Sequence, residues 1–353
     1  MNRLTVSKLI ALSVGLICIF FAYHYNKSAT YQISGPIYGT YWQLVSTEYI
    51  PDSLKQSIEL ELARIDLIAS NYKESSELSR INAAPIDKEI SISSDMYSLL
   101  SYAEKLHKVT DGFYDITIGS LVIQEGFGPT NTMSQNTIPV SLKRFDFISN
   151  TSIIKKDNFQ FDLSSIAKGY AVDSIAKLLI DSNRNNFLID IGGEIIVNGS
   201  KHGAPWIIGI QNPLTTQNQS ITEILRTDYL AVATSGEYRN KKINDAGDVI
   251  SHSFTPKNEQ SILDQSYSVT VASEESSMNA DAWATALNVL GPEKGINLAN
   301  DHGVAVMYIM AKENIKIKSK SWNYSDYSLL KSLRPPREPC DTFPKGPFFR
   351  TRP

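Results

Sequence analysis

From its first residue to Glu48 the chain carries no acidic side chain, and residues 9–23 (LIALSVGLICIFFAY) form an apolar run broken only by Ser13, with Arg3 and Lys8 ahead of it. This order of charge and apolarity reads as an export signal whose start stays in the cytoplasm. Fifteen residues are short against the roughly 20 that cross a bilayer. Lys8 can snorkel, however, and let residues 4–6 contribute. No clear Ala-x-Ala site follows, and Ile17 stands where a lipoprotein signal at Cys18 needs a small residue. An uncleaved anchor is the favoured reading, with a cleaved signal and a lipoprotein as alternatives. The expected layout is a membrane segment over 1–25, a polar tether over 26–36, one folded unit over 37–331 and a Pro/Arg-rich extension over 332–353. The folded unit is expected on the periplasmic side of a bacterial inner membrane.

The only other cysteine is Cys340. An exported portion with one thiol forms no internal disulfide, so its fold must rest on a hydrophobic core. The chain of 353 residues is 42% hydrophobic, enough for such a core. Its net charge of −3 supplies no basic field for nucleic acid.

Residues 37–49 are apolar and β-prone, which predicts a first strand. Leu54, Ile58, Leu62, Ile65 and Ile68 recur at a helical period and predict a helix over 53–70. A second helix is expected over 94–109, capped by Ser93 or Ser94 and closed by Thr110-Asp111-Gly112. A third is expected over 164–182, entered from a short strand. Residues 188–191 and 195–198 read as strands around Gly192-Gly193. Further strands are expected near 205–211, 222–233, 249–254, 267–272 and 303–311, with helices over 276–289 and 292–300. Many antiparallel-looking strands mixed with helices indicate an α+β fold, one mixed or antiparallel sheet with packed helices. No G-x-G-x-x-G follows a strand, which argues against a Rossmann site.

Two segments carry the chemistry. Residues 279–291 place Asp281 and Thr285 four apart in an Ala-rich helical stretch, which stacks both oxygens on one face. A carboxylate beside a hydroxyl is hard-oxygen ligation suited to Mg²⁺, which commonly shares its shell with a substrate phosphate. Residues 162–173 (DLSSIAKGYAVD) enter a helix through Ser-Ser, whose backbone N–H groups suit an anion. Gly192-Gly193 lets backbone approach a ligand without side-chain clash, or simply ends a strand. Of five histidines, none has zinc-type spacing to cysteine.

Further motifs fall in order along the chain: Tyr38-Gly39-Thr40; Asn71-Tyr72; Ser76–Asn82; Asp111–Gly119; Gly126-Phe127-Gly128-Pro129; Asp162–Asp173; Ile189–Glu194; Ala233–Arg239; His252–Pro256; and Asp281–Thr285. The series resembles the ApbE-type FAD:protein FMN transferases from about residue 37 to 311. The resemblance implies a T-fold-like α+β protein that uses FAD and Mg²⁺. It implies transfer of FMN, through a phosphoester bond, to a Thr or Ser of an exported or membrane protein, with release of AMP. The acceptor it suggests is an electron-transfer subunit of a membrane redox complex. Metal ligands carry over to the carbonyl of Ala167 and the side chains of Asp281 and Thr285. Flavin contacts carry over to Tyr38, Tyr72, Phe113, Tyr114, Asp115, Ser164, Tyr170 and Ser253, and the paired glycines Gly192 and Gly193 suit the same ligand. His252 occupies the His of the family's H-x-x-D-P stretch and is the candidate base for the acceptor hydroxyl.

Three departures stand out. Tyr38 replaces the usual Met before Gly-Thr, Ile123-Gln124-Glu125 replaces Asn-Leu-Trp, and Thr255 replaces the Asp of H-x-x-D-P. A Mg²⁺-dependent FAD pyrophosphatase, with water in place of the acceptor, uses the same residues and is the alternative. A flavin-binding protein without chemistry is a third reading, which the metal pair argues against.

Overall fold

The computed structural model of the chain describes residues 3–27, 29–124, 144–213, 221–236, 241–243, 249–251, 254–255, 260–261, 267–310 and 315–323. Its frame is an eight-stranded sheet. In spatial order the strands are β1 (Tyr31–Ile37), β2 (Thr40–Ser46), β6 (Phe187–Ile191), β7 (Glu194–Asn198), β10 (Tyr229–Gly236), β15 (Tyr267–Ser273), β16 (Ala305–Met310) and β17 (Ile315–Lys318). Every neighbouring pair runs antiparallel. A three-stranded sheet joins β3 (Glu89–Ser91), β5 (Ser152–Lys155) and β4 (Phe145–Ser149). Strands β8 (Trp206–Gln211) and β9 (Ile221–Thr227) form a hairpin. Two short pairs join β11 (Lys241–Ile243) to β12 (Val249–Ser251) and β13 (Phe254–Thr255) to β14 (Gln260–Ser261).

The helices are α1 (Arg3–Lys27), α2 (Asp52–Ala69), α3 (Glu77–Asn82), α4 (Ser94–Val109), α5 (Gly119–Gln124), α6 (Ala167–Asp181) and α7 (Ser277–Asp301). All five periodic residues of α2 are buried. Ser93 caps α4 by accepting from the Met96 N–H at 3.1 Å. The two expected helices at 276–289 and 292–300 follow one another within α7, which leaves helical geometry at Gly291 (φ 76°) just before Pro292. Proline cannot donate to the preceding turn, and glycine absorbs the resulting kink at low steric cost.

Strand β15 is buried at all seven positions because the sheet is covered on both faces. One face holds the main core, with α6 and α7 against the strands and α2 and α4 packed on those helices. The other holds a smaller cluster in which Trp206, Ile208, Ile210 and Leu225 of the β8–β9 hairpin meet Leu230, Val232, Met307 and Ile309 of the main sheet. The α+β expectation stands, with an antiparallel principal sheet.

Three local expectations are corrected. Most of the expected tether is strand: Tyr31–Ile37 pairs along its whole length with β2. Its hairpin turns on Tyr38 and Gly39, both at positive φ (50° and 72°), as a two-residue primed turn requires. The run 222–233 is two strands parted at Asp228, because β9 leaves to pair with β8. The segment before α6 is irregular rather than a short strand.

Helix α1 presents exposed Ile10, Leu12, Leu16, Ile17 and Ile19. Among the described residues no helix is long and apolar enough to cross a membrane. The readings for His252, Ser253, Glu125, the Gly126–Pro129 stretch, Cys340 and the 332–353 extension lie outside the described residues.

Candidate functional site

The two segments singled out in the sequence meet where α6 crosses α7. Gly169 sits at the contact: a Cβ there would stand 2.4 Å from the Ser277 carbonyl oxygen and 2.7 Å from the Met278 Cα. Each helix receives a carboxylate from the other. Asp281 of α7 accepts from the Gly169 N–H of α6 at 2.9 Å. Asp173 of α6 accepts from the Ser277 and Met278 N–H groups of α7 at 2.7 and 2.9 Å. The next N–H of α7, that of Asn279, is taken by the Ser276 hydroxyl at 3.0 Å. Unpaired N–H groups at a helix start attract anionic oxygen, and here protein carboxylates meet that demand.

This exchange takes up part of the anion cradle expected at 162–173. The Ser164 N–H donates to Asp162, those of Ile166 and Ala167 to the Leu163 carbonyl, and that of Gly169 to Asp281. What the crossing offers a ligand is carboxylate. Asp281 is 3% exposed and Glu194, at the start of β7, is 4% exposed. The Lys168 ammonium of α6 lies 2.6 Å from Glu194 Oε1 and 3.9 Å from Asp281 Oδ1. Glu194 Oε2 is buried and accepts no hydrogen bond. Burial raises the pKa of both carboxyl groups, and the Lys168 charge opposes that rise. Asp173 is raised to about 7, again by burial, against the pull of its two backbone donors.

Two buried carboxylates against one ammonium leave a deficit of positive charge, and an orphaned carboxylate oxygen costs free energy unless a cation or donor meets it. Hard oxygens in that setting fit Mg²⁺. Thr285, one turn beyond Asp281, and Ala167, the first residue of α6, are both partly exposed. Among the described residues no group of three or more His, Cys, Asp and Glu side chains is placed to hold a metal ion. A metal here would rely on a mixed oxygen set of carboxylate, hydroxyl and carbonyl.

The other predicted contacts divide. Tyr114 is buried, with its hydroxyl 2.9 Å from the Ser165 hydroxyl, and the charges of Asp281 and Asp162 act on it. Tyr72 is 69% exposed, within the electrostatic reach of Asp162. The Phe113 ring lies 5.4 Å beneath the Lys294 ammonium. Ser164 is exposed. Gly192 and Gly193 turn at φ 64° and 103°, and Gly193 donates to Asp190 at 2.8 Å. A Cβ on Gly192 would meet the Thr40 methyl at 2.9 Å, so this turn has both conformational and steric reasons for glycine.

Three predicted contacts are engaged elsewhere. The Tyr38 hydroxyl donates to the Leu62 carbonyl at 2.8 Å. The Tyr170 hydroxyl donates to Asp95 at 2.5 Å, and Asp95 also takes two bonds from Arg64. Asp115 folds back on the Thr117 N–H and hydroxyl, each at 2.7 Å. The two tyrosine hydroxyls and Asp115 Oδ1 are thus taken by protein partners.

Sequence reasoning did not single out Lys168, Glu194 and Asp173, which the structure brings to the crossing. All three stood inside quoted motifs. Their weight comes from burial and from partners distant in the chain, and neither is visible in local spacing.

A family model described as the ApbE family matches residues 38–308. An FAD:protein FMN transferase of Haemophilus influenzae is 34% identical over 274 residues, covering 73% of this chain and 79% of its own. One from Vibrio cholerae is 32% identical, covering 80% and 88%. Among solved structures, flavin transferase ApbE from Vibrio cholerae superposes with a TM-score of 0.73 at 29% identity, covering 83% of this chain and 98% of that one. The apo form of the Pseudomonas stutzeri flavinyl transferase ApbE gives 0.72 at 28% identity, covering 84% and 96%.

Proposed function

Because the chain belongs to the ApbE family, we propose that it is an FAD:protein FMN transferase that uses Mg²⁺ to move FMN from FAD onto a Thr or Ser hydroxyl of an exported protein. The observation that carries the reading is the buried Asp281 at the α6–α7 crossing, beside a second carboxylate with an orphaned oxygen.

Asp281, the Thr285 hydroxyl and the Ala167 carbonyl would hold the metal. Bound there, the ion supplies positive charge against the FAD pyrophosphate. Tyr72, Phe113 and Ser164 border the flavin or its phosphates, and the Gly192-Gly193 turn admits them closely. His252 accepts the proton of the acceptor hydroxyl, whose oxygen forms the new bond to the FMN phosphorus as the bond to AMP breaks. The acceptor is an electron-transfer subunit of a membrane redox complex.

Incubation with FAD, Mg²⁺ and candidate acceptors, followed by mass analysis, tests the reading. A covalent FMN adduct on Thr or Ser is expected. Free FMN and AMP without an adduct, for every acceptor tried, would turn the assignment to the pyrophosphatase.

The enzyme acts on the outer side of an inner membrane, held by its amino-terminal segment. Support comes from Arg3 and Lys8 ahead of the apolar run and from the exposed apolar side chains of α1. Protease access in intact spheroplasts checks this, and a protected, soluble, full-length pool would sink it.

A further inference from the structure

Lys168 faces two acids and does not treat them alike. Its ammonium lies 2.6 Å from Glu194 Oε1 but 3.9 Å from Asp281 Oδ1. The shorter contact is a charge-assisted hydrogen bond, and the longer one is only an electrostatic neighbour. Both acids are almost fully buried and the Lys168 side chain is 30% exposed, so water screens these attractions only in part. Asp281 can therefore bind an external cation only if the internal one is held off it.

We propose that Glu194 is a positioning residue that holds the Lys168 ammonium away from Asp281 and so keeps that carboxylate available for the divalent cation. This rests on the metal assignment to Asp281 given above.

Three observations support it. Glu194 begins β7 directly after the Gly192-Gly193 turn, so its backbone is fixed by the sheet and its side chain has little freedom to follow a moving lysine. Lys168 stands in the first turn of α6, whose Gly169 N–H is bonded to Asp281 Oδ2, so the lysine starts beside that carboxylate and needs restraint. Glu194 keeps its second oxygen buried and without a hydrogen bond, so within the protein the carboxylate is engaged by Lys168. Without Glu194, Asp281 is the carboxylate the described residues leave beside the ammonium, at 3.9 Å. The lysine would then pair with it and compete directly with Mg²⁺.

The test uses the full chain without FAD or acceptor. Mg²⁺ affinity is measured by calorimetry for wild type, Glu194→Gln, Lys168→Met, the double variant and Asp281→Asn, and the Glu194→Gln crystal structure is determined. Glu194→Gln should weaken Mg²⁺ binding by roughly tenfold or more, as expected when a buried counter-charge moves onto a ligand. Its crystal structure should show the Lys168 ammonium at hydrogen-bond distance from Asp281. The double variant should bind Mg²⁺ more tightly than Glu194→Gln, because the competing ammonium is gone. Unchanged affinity in Glu194→Gln overturns the proposal. So does weakened affinity with Lys168 still remote from Asp281, and so does a double variant as weak as the single one. Asp281→Asn separates the two layers: if it retains wild-type Mg²⁺ affinity, the metal assignment fails and the positioning role falls with it.

Discussion

Replacing Gly169 by Ala tests the α6–α7 crossing most directly. The added methyl would stand 2.4 Å from the Ser277 oxygen and 2.7 Å from the Ser277 carbonyl carbon and Met278 Cα. All three are backbone atoms of α7, so no side-chain rotation relieves the contact. Carbon needs about 3.5 Å, so the helices must part by roughly 1 Å. Overpacking of this kind costs about 1–3 kcal/mol. The same displacement stretches the Gly169–Asp281 bond and the two bonds of Asp173, each 2.7–2.9 Å long. Weakening one hydrogen bond to a charged group costs about 1.5–3 kcal/mol, while Ala gains about 1 kcal/mol of helix propensity over Gly. A net loss of roughly 1.5–5 kcal/mol follows, read as a lower urea midpoint at unchanged slope. Mg²⁺ affinity should fall with it, since Asp281 loses its anchoring donor. A variant within about 0.5 kcal/mol of wild type, with normal Mg²⁺ affinity, would show that the crossing is compliant and that the clasp does not hold Asp281 in place.

Three further outcomes are expected. Asp281→Ala should lower FMN transfer by at least roughly 10²-fold, and it should also cost about 1–3 kcal/mol of stability by stranding the Gly169 N–H; normal transfer with Mg²⁺ as sole metal refutes the ligand assignment. Asp173 titrates near 7 in the folded protein, above its unfolded value of about 3.9. Its contribution to stability is therefore full below about pH 4 and is lost as pH rises through about 7. Asp173→Asn should gain on wild type by roughly 1 kcal/mol or more between about pH 5 and about pH 8, and parallel stability curves over that range would contradict the burial argument. His252→Ala should bind FAD normally yet transfer FMN roughly 10²–10⁴-fold more slowly. Collapse of FAD affinity instead would make His252 a ligand contact.

Much of the secondary structure was legible because it is local. The period of Leu54, Ile58, Leu62, Ile65 and Ile68 requires only that α2 bury one stripe, and Ser93 caps α4 with a donor three residues away. Asp281 and Thr285 share a helical face for the same reason, since a four-residue spacing needs no tertiary partner. The order of the motifs carried the family. The amino acids around 26–36 and 222–233 have no such signature. Whether Tyr31–Ile37 forms a strand depends on β2 being there to pair with it, and the break at Asp228 exists because β8 captures β9.

The sequence alone determined an α+β chain, a helix bearing a carboxylate and a hydroxyl, and membership of the ApbE family. Only the tertiary structure decided what that carboxylate meets. Asp281 and the Gly169 N–H are 112 residues apart in the chain, and Asp173 lies 104 residues from the Ser277 N–H it accepts. Lys168 and Glu194 meet only because α6 lies against β7. Burial turns these into strong couplings, since charges removed from water are felt at short range with little screening. No spacing in the chain records burial, because it is a property of everything that packs around a residue.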